Sequence, residues 1–404
     1  MPPPAEAVRR VGSRTGVCSL IGVRAPMGCA LIGVRAAVIG TRALAIGACL
    51  AVLYASCVPA AGVARAATAY IDGISDQNIP EWDGAFAGSY FRDLFERNWV
   101  RRGHIRLARY ALQWDVMSAG PAGSRVKFEN WLGDVGELGL IADVALTSYD
   151  GSYPASADDY EARLVEILRR AEGLGEPVRY VEPWNEPNNQ GHESPAAAAS
   201  FADAAQAACA GGYGCAVVAG DLEDAPGAAR YEREYEQDLR RVPAIWGVHP
   251  YRSVQHMSAA PLSELVRALP DKDSTELWFT EVAARTCTDY NGELRVNGED
   301  GQAERVRWLL DTLMPLAQPA HVFYYTFLLA DRRVPVCTPG EPEDEALYVP
   351  GGDPSAPDVA RPAAVYVSGG GPSRSASTTG AEPGGLAEAL AGLVGLAAGG
   401  GIGW

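Results

Sequence analysis

Short apolar runs alternate eight times with longer amphipathic segments between residues 69 and 327, and this alternation constrains the fold more than any other feature. The apolar runs are mostly unbroken, which is typical of parallel strands buried on both faces. A fourth run, at Val178, Tyr180 and Val181, ends before Pro183. The other predicted strands are Ala69–Ser75, Ile105–Leu112, Ile141–Thr147, Cys215–Gly220, Ile245–Val248, Leu277–Thr280 and His321–Phe327.

The segments between these runs carry apolar residues at helical spacing, as in Ala157–Glu172. The other predicted helices are Phe86–Arg101, Phe128–Leu138, Pro195–Ala210, Arg230–Arg241, Leu262–Leu269 and Gln302–Leu316. Eight strand–helix units predict the α/β class, as a single (β/α)8 TIM barrel that forms one catalytic domain over residues 67–368. An open dinucleotide-binding sheet is disfavoured, since no G-x-G-x-x-G follows the first strand.

The segment Arg179–Gln190 reads RYVEPWNEPNNQ and places Glu186 where the fourth strand becomes a loop. A carboxylate flanked by an aromatic ring and amides suits proton transfer to a sugar oxygen: Trp184 would stack on the sugar, and Asn185 would bond a hydroxyl. Glycoside cleavage typically uses a pair of carboxyl groups. The second candidate is Glu281, 95 residues on, at the end of another short apolar run.

Other polar residues also follow the predicted strands, at the end where a barrel of this kind has its active site. Each has a simpler explanation when it is taken singly. Arg109 could be a surface charge, His249 a hydrogen-bonded core residue and Glu281 a helix N-cap. Packing is the favoured explanation for Trp278, Tyr324 and Tyr325. Taken together, the polar residues at one end of the predicted barrel indicate a single functional site. The members of this cluster are Arg109, Tyr110, Trp114, Asp115, Ser148, Tyr149, Asp150, His249, Tyr251, Arg252, Tyr324 and Tyr325.

The motif Pro183–Pro187 on strand four, together with Trp278–Glu281 on strand seven, resembles clan A of the retaining glycoside hydrolases, in particular families 5 and 39. The resemblance covers roughly Ala67–Val367. It implies that Glu186 is the general acid and then the base, and that Glu281 is the nucleophile. Asn185 would bond the sugar 2-hydroxyl.

The resemblance also implies supporting residues. His249 and Tyr251 match the strand-six pair that positions the substrate and the nucleophile. The strand-two arginine that keeps the nucleophile ionised is Arg109 or Arg106. Arg109 is preferred because its spacing to Trp114 fits the pattern R-Y-x-x-x-W-D. The clan usually has Trp near the end of strand eight, whereas this chain has Tyr324, Tyr325 and Phe327 there; Tyr325 is the candidate substrate contact.

These residues predict a secreted glycoside hydrolase that cleaves an O-glycosidic bond of an oligo- or polysaccharide by a retaining double displacement. In that mechanism the arginine keeps Glu281 ionised while Glu186 holds a proton until the leaving oxygen takes it. Neither a metal nor an organic cofactor is expected. Two alternatives stay open, a catalytically inactive carbohydrate-binding barrel and a transglycosylase on the same site.

Both ends of the chain differ from the barrel segment in composition. In residues 1–66, Arg42 precedes the apolar run Ala43–Cys57, and Ala64-Arg65-Ala66 follows, which is the layout of a secretory signal cleaved after Ala66. We therefore expect a secreted, extracellular protein; an N-terminal membrane or lipid anchor is the alternative. Residues 369–404 are rich in Gly, Ser, Pro and Ala and predict a low-complexity, disordered tail.

Net charge excludes two classes of partner. The chain carries −16 overall, with +6 in residues 1–66 (seven Arg against one Glu) and −22 in the remainder (27 basic against 49 acidic residues). Such an acidic body repels nucleic acid and anionic lipid. We therefore expect no nucleic-acid partner and membrane contact only through the leader. The protein is expected to be a monomer.

Four cysteines remain after the leader: Cys209, Cys215, Cys287 and Cys337. An even number in a secreted protein predicts two disulfides, with three possible connectivities. Local order along the chain favours Cys209–Cys215 and Cys287–Cys337. No C-x-x-C and no His/Cys spacing indicates a zinc site.

Overall fold

The computed structural model describes residues 71–75, 100, 105–118, 123–189, 193–271, 274–290, 293–326, 346–349 and 359–367. The predicted leader over residues 1–66, the predicted tail over residues 369–404 and the predicted helix Phe86–Arg101, apart from Val100, lie outside these ranges. Among the described residues, no helix combines the length and the apolar character that a membrane span requires.

Eight parallel strands close into a barrel, which confirms the predicted (β/α)8 TIM fold. Going round the barrel, each strand from β1 to β7 pairs with the next in sequence, and β10 closes the ring between β7 and β1. Because all eight run the same way, their carboxyl ends meet at one mouth. The barrel strands are β1 (Gly73–Ser75), β2 (Leu107–Gln113), β3 (Ile141–Thr147), β4 (Tyr180–Glu182), β5 (Ala216–Glu223), β6 (Ile245–His249), β7 (Glu276–Val282) and β10 (His321–Tyr324).

Helices between the strands form the outer layer. Local signals start and stop them: Ser156 accepts a hydrogen bond from the Asp159 amide at the first turn of the second helix, and Gly175 ends that helix in the left-handed region. The helices are α1 (Ser124–Glu137), α2 (Ala157–Leu174), α3 (Pro195–Ala208), α4 (Ala228–Asp238), α5 (Tyr251–His256), α6 (Ala260–Val266), α7 (Gly298–Trp308), α8 (Met314–Ala317) and α9 (Pro362–Val367).

Two antiparallel strand pairs stand apart from the barrel. One is the hairpin of β8 (Cys287–Tyr290) and β9 (Glu293–Val296), which follows β7, and the other pairs β11 (Tyr348–Val349) with β12 (Val359–Ala360). The sequence prediction contained neither pair, nor the short helix α5. It also ended the fifth strand at Gly220, whereas β5 continues to Glu223.

Large apolar side chains fill both the space between barrel and helices and the lower barrel interior. Tyr110 on β2 packs against Phe128 and Trp131 of α1. Trp278 and Phe323 belong to a buried cluster inside the barrel, so the packing explanation for Trp278 holds. Gly73 is required there, because a Cβ at this position would lie 2.4 Å from the Phe323 ring. These side chains form an apolar cluster of their own, separate from the polar residues at the carboxyl ends of the strands.

A disulfide joins Cys209 and Cys215 just after α3, as predicted, with 4.8 Å between the two Cα atoms. Cys287 at the start of β8 is buried and disulfide-bonded. Its predicted partner, Cys337, lies outside the described residues. The second predicted bridge therefore stays a prediction.

Candidate active site

Arg109 is the centre of the polar cluster at the barrel mouth. Its side chain is fully buried. The Nε–H donates to Glu182 Oε2 at 2.8 Å, Nη2 donates to Asp221 Oδ2 at 2.8 Å, and Nη1 donates to Glu281. One guanidinium therefore donates to carboxyl groups from β4, β5 and β7. Burial alone would lower the pKa of Arg109, but the charges of Asp221, Glu182 and Glu281 raise it well above its usual value.

Glu281, near the end of β7, has a donor on each carboxylate oxygen. Oε1 accepts from Arg109, and Ser75 lies 3.4 Å from the same oxygen. Oε2 accepts from the Tyr251 hydroxyl at 2.5 Å. These donors fix the orientation of the Glu281 carboxyl group, which is only 6% exposed.

Glu186 follows β4 in a left-handed backbone conformation, with φ 46°, which a residue with a Cβ rarely adopts. Its amide donates to the Asp221 carbonyl at 3.1 Å. One side-chain oxygen lies 2.8 Å from His249 Nδ1, and the other accepts from Asn189 at 3.0 Å. The strained backbone is thus fixed by contacts on the main chain and on both carboxylate oxygens.

The two predicted acids meet across the mouth. A carboxylate oxygen of Glu186 and one of Glu281 lie within 4.8 Å of each other, and His249 Nδ1 lies within the same distance of both. His249 Nδ1 is 3.8 Å from Glu281 Oε2 and closer to Glu186. The 94 residues between them therefore fold so that two distant carboxyl groups face one small volume.

His249 is positioned to carry a positive charge. It is fully buried, and its ring nitrogens lie 2.8 Å from Glu186 Oε1 and 2.7 Å from Asp221 Oδ1. Burial would lower the pKa of His249, but the charges of Asp221 and Glu281 and the hydrogen bonds to Asp221 and Glu186 raise it to about 10. Both nitrogens then carry protons and donate, one to each carboxylate.

This charge changes the expected protonation of Glu186. Burial raises the pKa of Glu186, but the hydrogen bond and charge of His249, with the Asn189 hydrogen bond, outweigh burial and leave the pKa below its usual value. The sequence-based expectation was a protonated Glu186. The lowered pKa of Glu186 and the raised pKa of His249 instead favour the proton of this pair on His249, 2.8 Å away.

A second layer of acids lies below the mouth. Asp143 on β3 and Glu182 on β4 are fully buried, and neither oxygen of Asp143 has a hydrogen-bond donor among the described residues. A buried carboxyl group without a donor is more stable with its proton than without it. Burial raises the pKa of Asp143 to about 6 and that of Glu182 well above its usual range, although Arg109 opposes both shifts. Burial thus favours the neutral form of Glu182 more strongly than that of Asp143.

Not every predicted site residue reaches the two acids. Asn185 lies beside the network and accepts from Arg109 Nη2 at 2.7 Å through its side-chain oxygen. Trp114 is 6% exposed, and its indole N–H donates to Ser152 in the loop after β3. Tyr325 follows β10, is half-buried, and donates its amide to the Val282 carbonyl. Phe327 lies outside the described residues.

The positions of Trp184 and of the two candidate arginines bear on two expectations from the sequence. Trp184 is 2% exposed and packs between Tyr153 and Phe201, so its ring does not face a sugar at the mouth, contrary to expectation. Of the two arginines considered, Arg109 contacts Glu281, whereas the Arg106 side chain is 61% exposed and lies 4.0 Å from Asp72. The preference for Arg109 therefore agrees with the geometry.

Sequence reasoning missed several residues of this site: Ser75, Asp143, Glu182, Asp221 and Glu223. Glu182 interrupts an apolar run two residues after Tyr180, and a charged residue inside a buried parallel strand is a usable signal. Asp221 follows Gly220 at the predicted end of the fifth strand and gave no such signal. Burial and the charge of Glu186 raise the pKa of Glu223, at the end of β5, to about 7.

Two groups of described residues have the atoms to ligate a metal ion: Glu182, Asp221 and His249, and Glu186, His249 and Glu281. In each group the candidate ligand atoms lie within 4.8 Å of one another. The cations of the chain already occupy these positions, since Arg109 donates to Glu182, Asp221 and Glu281, and His249 lies between two carboxylates. The charge that a metal would supply is therefore present as guanidinium and imidazolium.

The barrel is similar to those of several solved structures. SrfJ from Salmonella typhimurium matches with a TM-score of 0.52 and 12% identity, over 75% of each chain. The endo-β1,6-glucanase BT3312 matches with a TM-score of 0.54 and 13% identity, over 74% of each chain. A GH5_18 protein from Streptomyces cattleya in complex with GlcNAc matches with a TM-score of 0.52 and 15% identity, over 74% of this chain and 79% of the other.

At these identities the likeness establishes the fold. No protein-family model matches the sequence, and no curated protein matches it either. The chemistry of the mouth must therefore be argued from its own residues.

Proposed function

We propose that this protein is a retaining glycoside hydrolase, with Glu281 as nucleophile and Glu186 as general acid and base. One observation carries the proposal: the two carboxylates approach within 4.8 Å at the carboxyl end of one barrel. Retaining enzymes hold their two carboxyl groups about 5–5.5 Å apart, whereas inverting enzymes need about 6.5–9.5 Å to admit a water molecule.

In the first step Glu281 attacks the anomeric carbon while the leaving oxygen takes a proton. Arg109 and Tyr251 orient the attacking carboxylate through its two oxygens. The Glu186–His249 pair holds the proton, and Glu186 delivers it. In the second step Glu186 takes a proton from water, which attacks the glycosyl–Glu281 ester and releases the sugar.

The substrate class follows from the same mouth. Carboxyl groups dominate it, and the chain after residue 66 carries −22, so a neutral oligo- or polysaccharide fits better than an anionic one. Similar structures include a protein named as an endo-β1,6-glucanase and one solved with GlcNAc. β-Linked glucans and GlcNAc-containing glycans are therefore the first substrates to screen.

Export is proposed together with this activity. The leader-like residues 1–66 motivate it, and the Cys209–Cys215 disulfide supports it, because disulfides persist in oxidising compartments. Detecting the processed chain outside the cell, with a new N-terminus near Ala67, would test it. Retention of the unprocessed chain in the cytoplasm would contradict it.

The decisive variants are Glu281→Gln and Glu186→Gln, assayed on aryl glycosides and on polysaccharides. Glu281→Gln should reduce turnover to background while sugar binding survives. Glu186→Gln should lose about 10²–10⁴-fold on a poor leaving group and less on an activated aryl group, which needs no proton. Glu276→Gln is the matched control, since Glu276 lies at the opposite end of β7 and accepts from Trp278.

The outcomes separate the alternatives. Glycan binding by wild type without turnover of any substrate would favour an inactive carbohydrate-binding barrel. Longer products in the presence of an added sugar acceptor would identify a transglycosylase. Full activity of Glu281→Gln would exclude the proposed mechanism.

A further inference from the structure

Asp221 lies on an irregular turn of β5 that aims its side chain into the barrel. The register between β5 and β6 shifts between Gly220 and Leu222, so Asp221 is an extra residue in the strand. Its φ is 52°, in the left-handed region, and that of Gly220 is 82°. Bulges next to active sites re-aim side chains, and strained residues persist only where their surroundings hold them.

The side chain of Asp221 is fully buried and saturated with donors. Oδ1 lies 2.7 Å from His249 Nε2 and accepts from Thr280 at 2.6 Å, and Oδ2 accepts from Arg109 at 2.8 Å. Its carbonyl accepts from the Glu186 amide. Asp221 thus touches the cation that serves Glu281, the imidazole beside Glu186, and the backbone of Glu186 itself.

The facing strand leaves room for this arrangement. Gly247 on β6 pairs with Gly220. A Cβ on Gly247 would lie 2.8 Å from Thr280 Oγ1 and 3.3 Å from Asp221 Oδ1. A side chain there would push against the hydroxyl and the carboxylate, so a glycine is required at this position.

We propose that Asp221 is a positioning residue that keeps His249 doubly protonated, so that His249 stores the proton which Glu186 gives to the leaving oxygen. The inference rests on the proposed role of Glu186 and extends it to a residue that acts through His249. If Asp221 had only a structural role, it would hold Arg109 in place, and the protonation of His249 would depend on its other neighbours.

Charged and titratable groups from four parts of the chain face His249. Asp221 and Glu223 come from β5, Glu186 from the loop after β4, and Glu281 from β7. Tyr251 lies edge-on to the ring at 5.8 Å between centroids. Of the carboxylates, Asp221 alone contacts Nε2, and Arg109 reaches His249 through it. Both Asp221 and Glu281 raise the pKa of His249, with Asp221 the larger influence.

The charge of His249 can be measured without a substrate. The full chain contains five histidines, so ¹⁵N-histidine labelling gives few signals, and His249→Gln assigns the relevant pair. In wild type both ring nitrogens should be protonated at pH 7 and remain so to about pH 9. In Asp221→Asn the ring should lose its proton about 1–3 pH units lower.

Asp224→Asn is the matched control, because Asp224 is buried just beyond the end of β5 and accepts from the Arg252 and Ser253 amides. It should leave the His249 signals unchanged. A neutral His249 in wild type at pH 7 would overturn the proposal whether or not Asp221→Asn folds. Equal titration of wild type and Asp221→Asn would overturn it as well.

Enzyme kinetics then test whether the stored proton is used. In Asp221→Asn the alkaline limb of the kcat/KM profile should move to lower pH by the same interval as the titration of His249. A uniform loss at every pH, with an unmoved limb, would indicate a structural role and overturn the proposal. If no glycoside is turned over at all, the function proposed for Glu186 fails while the titration still decides the link between Asp221 and His249.

Discussion

At the barrel mouth, carboxylates hidden from water are matched by Arg109 and His249, whereas the equally buried Glu232 on α4 has no hydrogen-bond partner among the described residues. Burying an ionised carboxylate costs several kcal/mol unless a partner compensates. At the mouth, cations beside Asp221 and Glu186 favour the charged forms of these two acids. Glu232 responds by staying neutral, because burial raises its pKa to about 9, with a smaller contribution from Glu236.

The comparison teaches where charge is needed. A neutral carboxyl can be tolerated in the helix layer, but it cannot attack a carbon atom. At the mouth, Asp221 and Glu186 have lowered pKa values in spite of burial, because Arg109 and His249 oppose it. The cations that compensate buried carboxylates therefore lie at the barrel mouth, where we propose that the reaction takes place.

Removing the central cation should have the largest effect. Arg109→Gln leaves Asp221, Glu281 and Glu182 without their shared donor. Breaking a buried ion pair by removing one partner costs about 3–5 kcal/mol of unfolding free energy. Denaturant unfolding at pH 7 would measure the loss. The matched control is Arg106→Gln, three residues earlier in the chain, where the arginine side chain is 61% exposed. This variant should change the unfolding free energy by less than about 0.5 kcal/mol. Equal effects of the two variants would contradict the account.

Replacing Glu232, the buried acid without a compensating cation, should stabilise the protein, whereas Arg109→Gln should destabilise it. Glu232→Met should raise the unfolding free energy by about 1–3 kcal/mol at pH 8, because an unpartnered carboxyl is replaced by an apolar chain of similar size. The folded pKa of about 9 lies above the unfolded value near 4.5. The native state therefore binds the extra proton between these values, and wild-type stability falls as pH rises through this window.

The gain from Glu232→Met should accordingly shrink towards pH 5. Thermal or denaturant unfolding across pH 5–8 would show this trend. Glu234→Met, on an exposed position of the same helix, should stay within about 0.5 kcal/mol of wild type at every pH. A destabilised Glu232→Met would show that the carboxyl has a partner in solution.

The smallest effect is expected at Glu182, in the layer below the mouth, because burial raises its pKa well above its usual value and favours the neutral form. Glu182→Gln then exchanges a neutral carboxyl group for an amide of the same shape. The amide oxygen can still accept from Arg109, and the amide nitrogen can donate to Asp143. The unfolding free energy should change by less than about 1 kcal/mol. A loss comparable to that of Arg109→Gln would mean that Glu182 is ionised.

Much of the fold was readable from the sequence because its signals are local. Mostly apolar runs marked all eight barrel strands, and Ile141–Thr147 was predicted with its observed bounds. Apolar spacing predicted the helix Ala157–Glu172, and the observed helix α2 has the same first residue and ends two residues later. The β8–β9 hairpin was missed because its strands are four residues each and lie among polar residues.

The site was only partly readable, for a physical reason. Glu186, Glu281, Arg109, His249 and Tyr251 were found because they follow apolar runs, at strand ends that must converge. Asp221 was missed because a bulge and a left-handed φ turn it inward, and both depend on tertiary contacts. The charge of His249 was equally hidden, since it depends on distances to residues from three other parts of the chain.

The most direct test of the whole account is covalent trapping of the nucleophile. An activated 2-deoxy-2-fluoro glycoside of the sugar found by screening should form a stable ester, which peptide mass spectrometry locates. The account predicts one adduct, on Glu281, and none in Glu281→Gln. An adduct on another carboxyl group, or turnover that inverts the anomeric configuration, would contradict it.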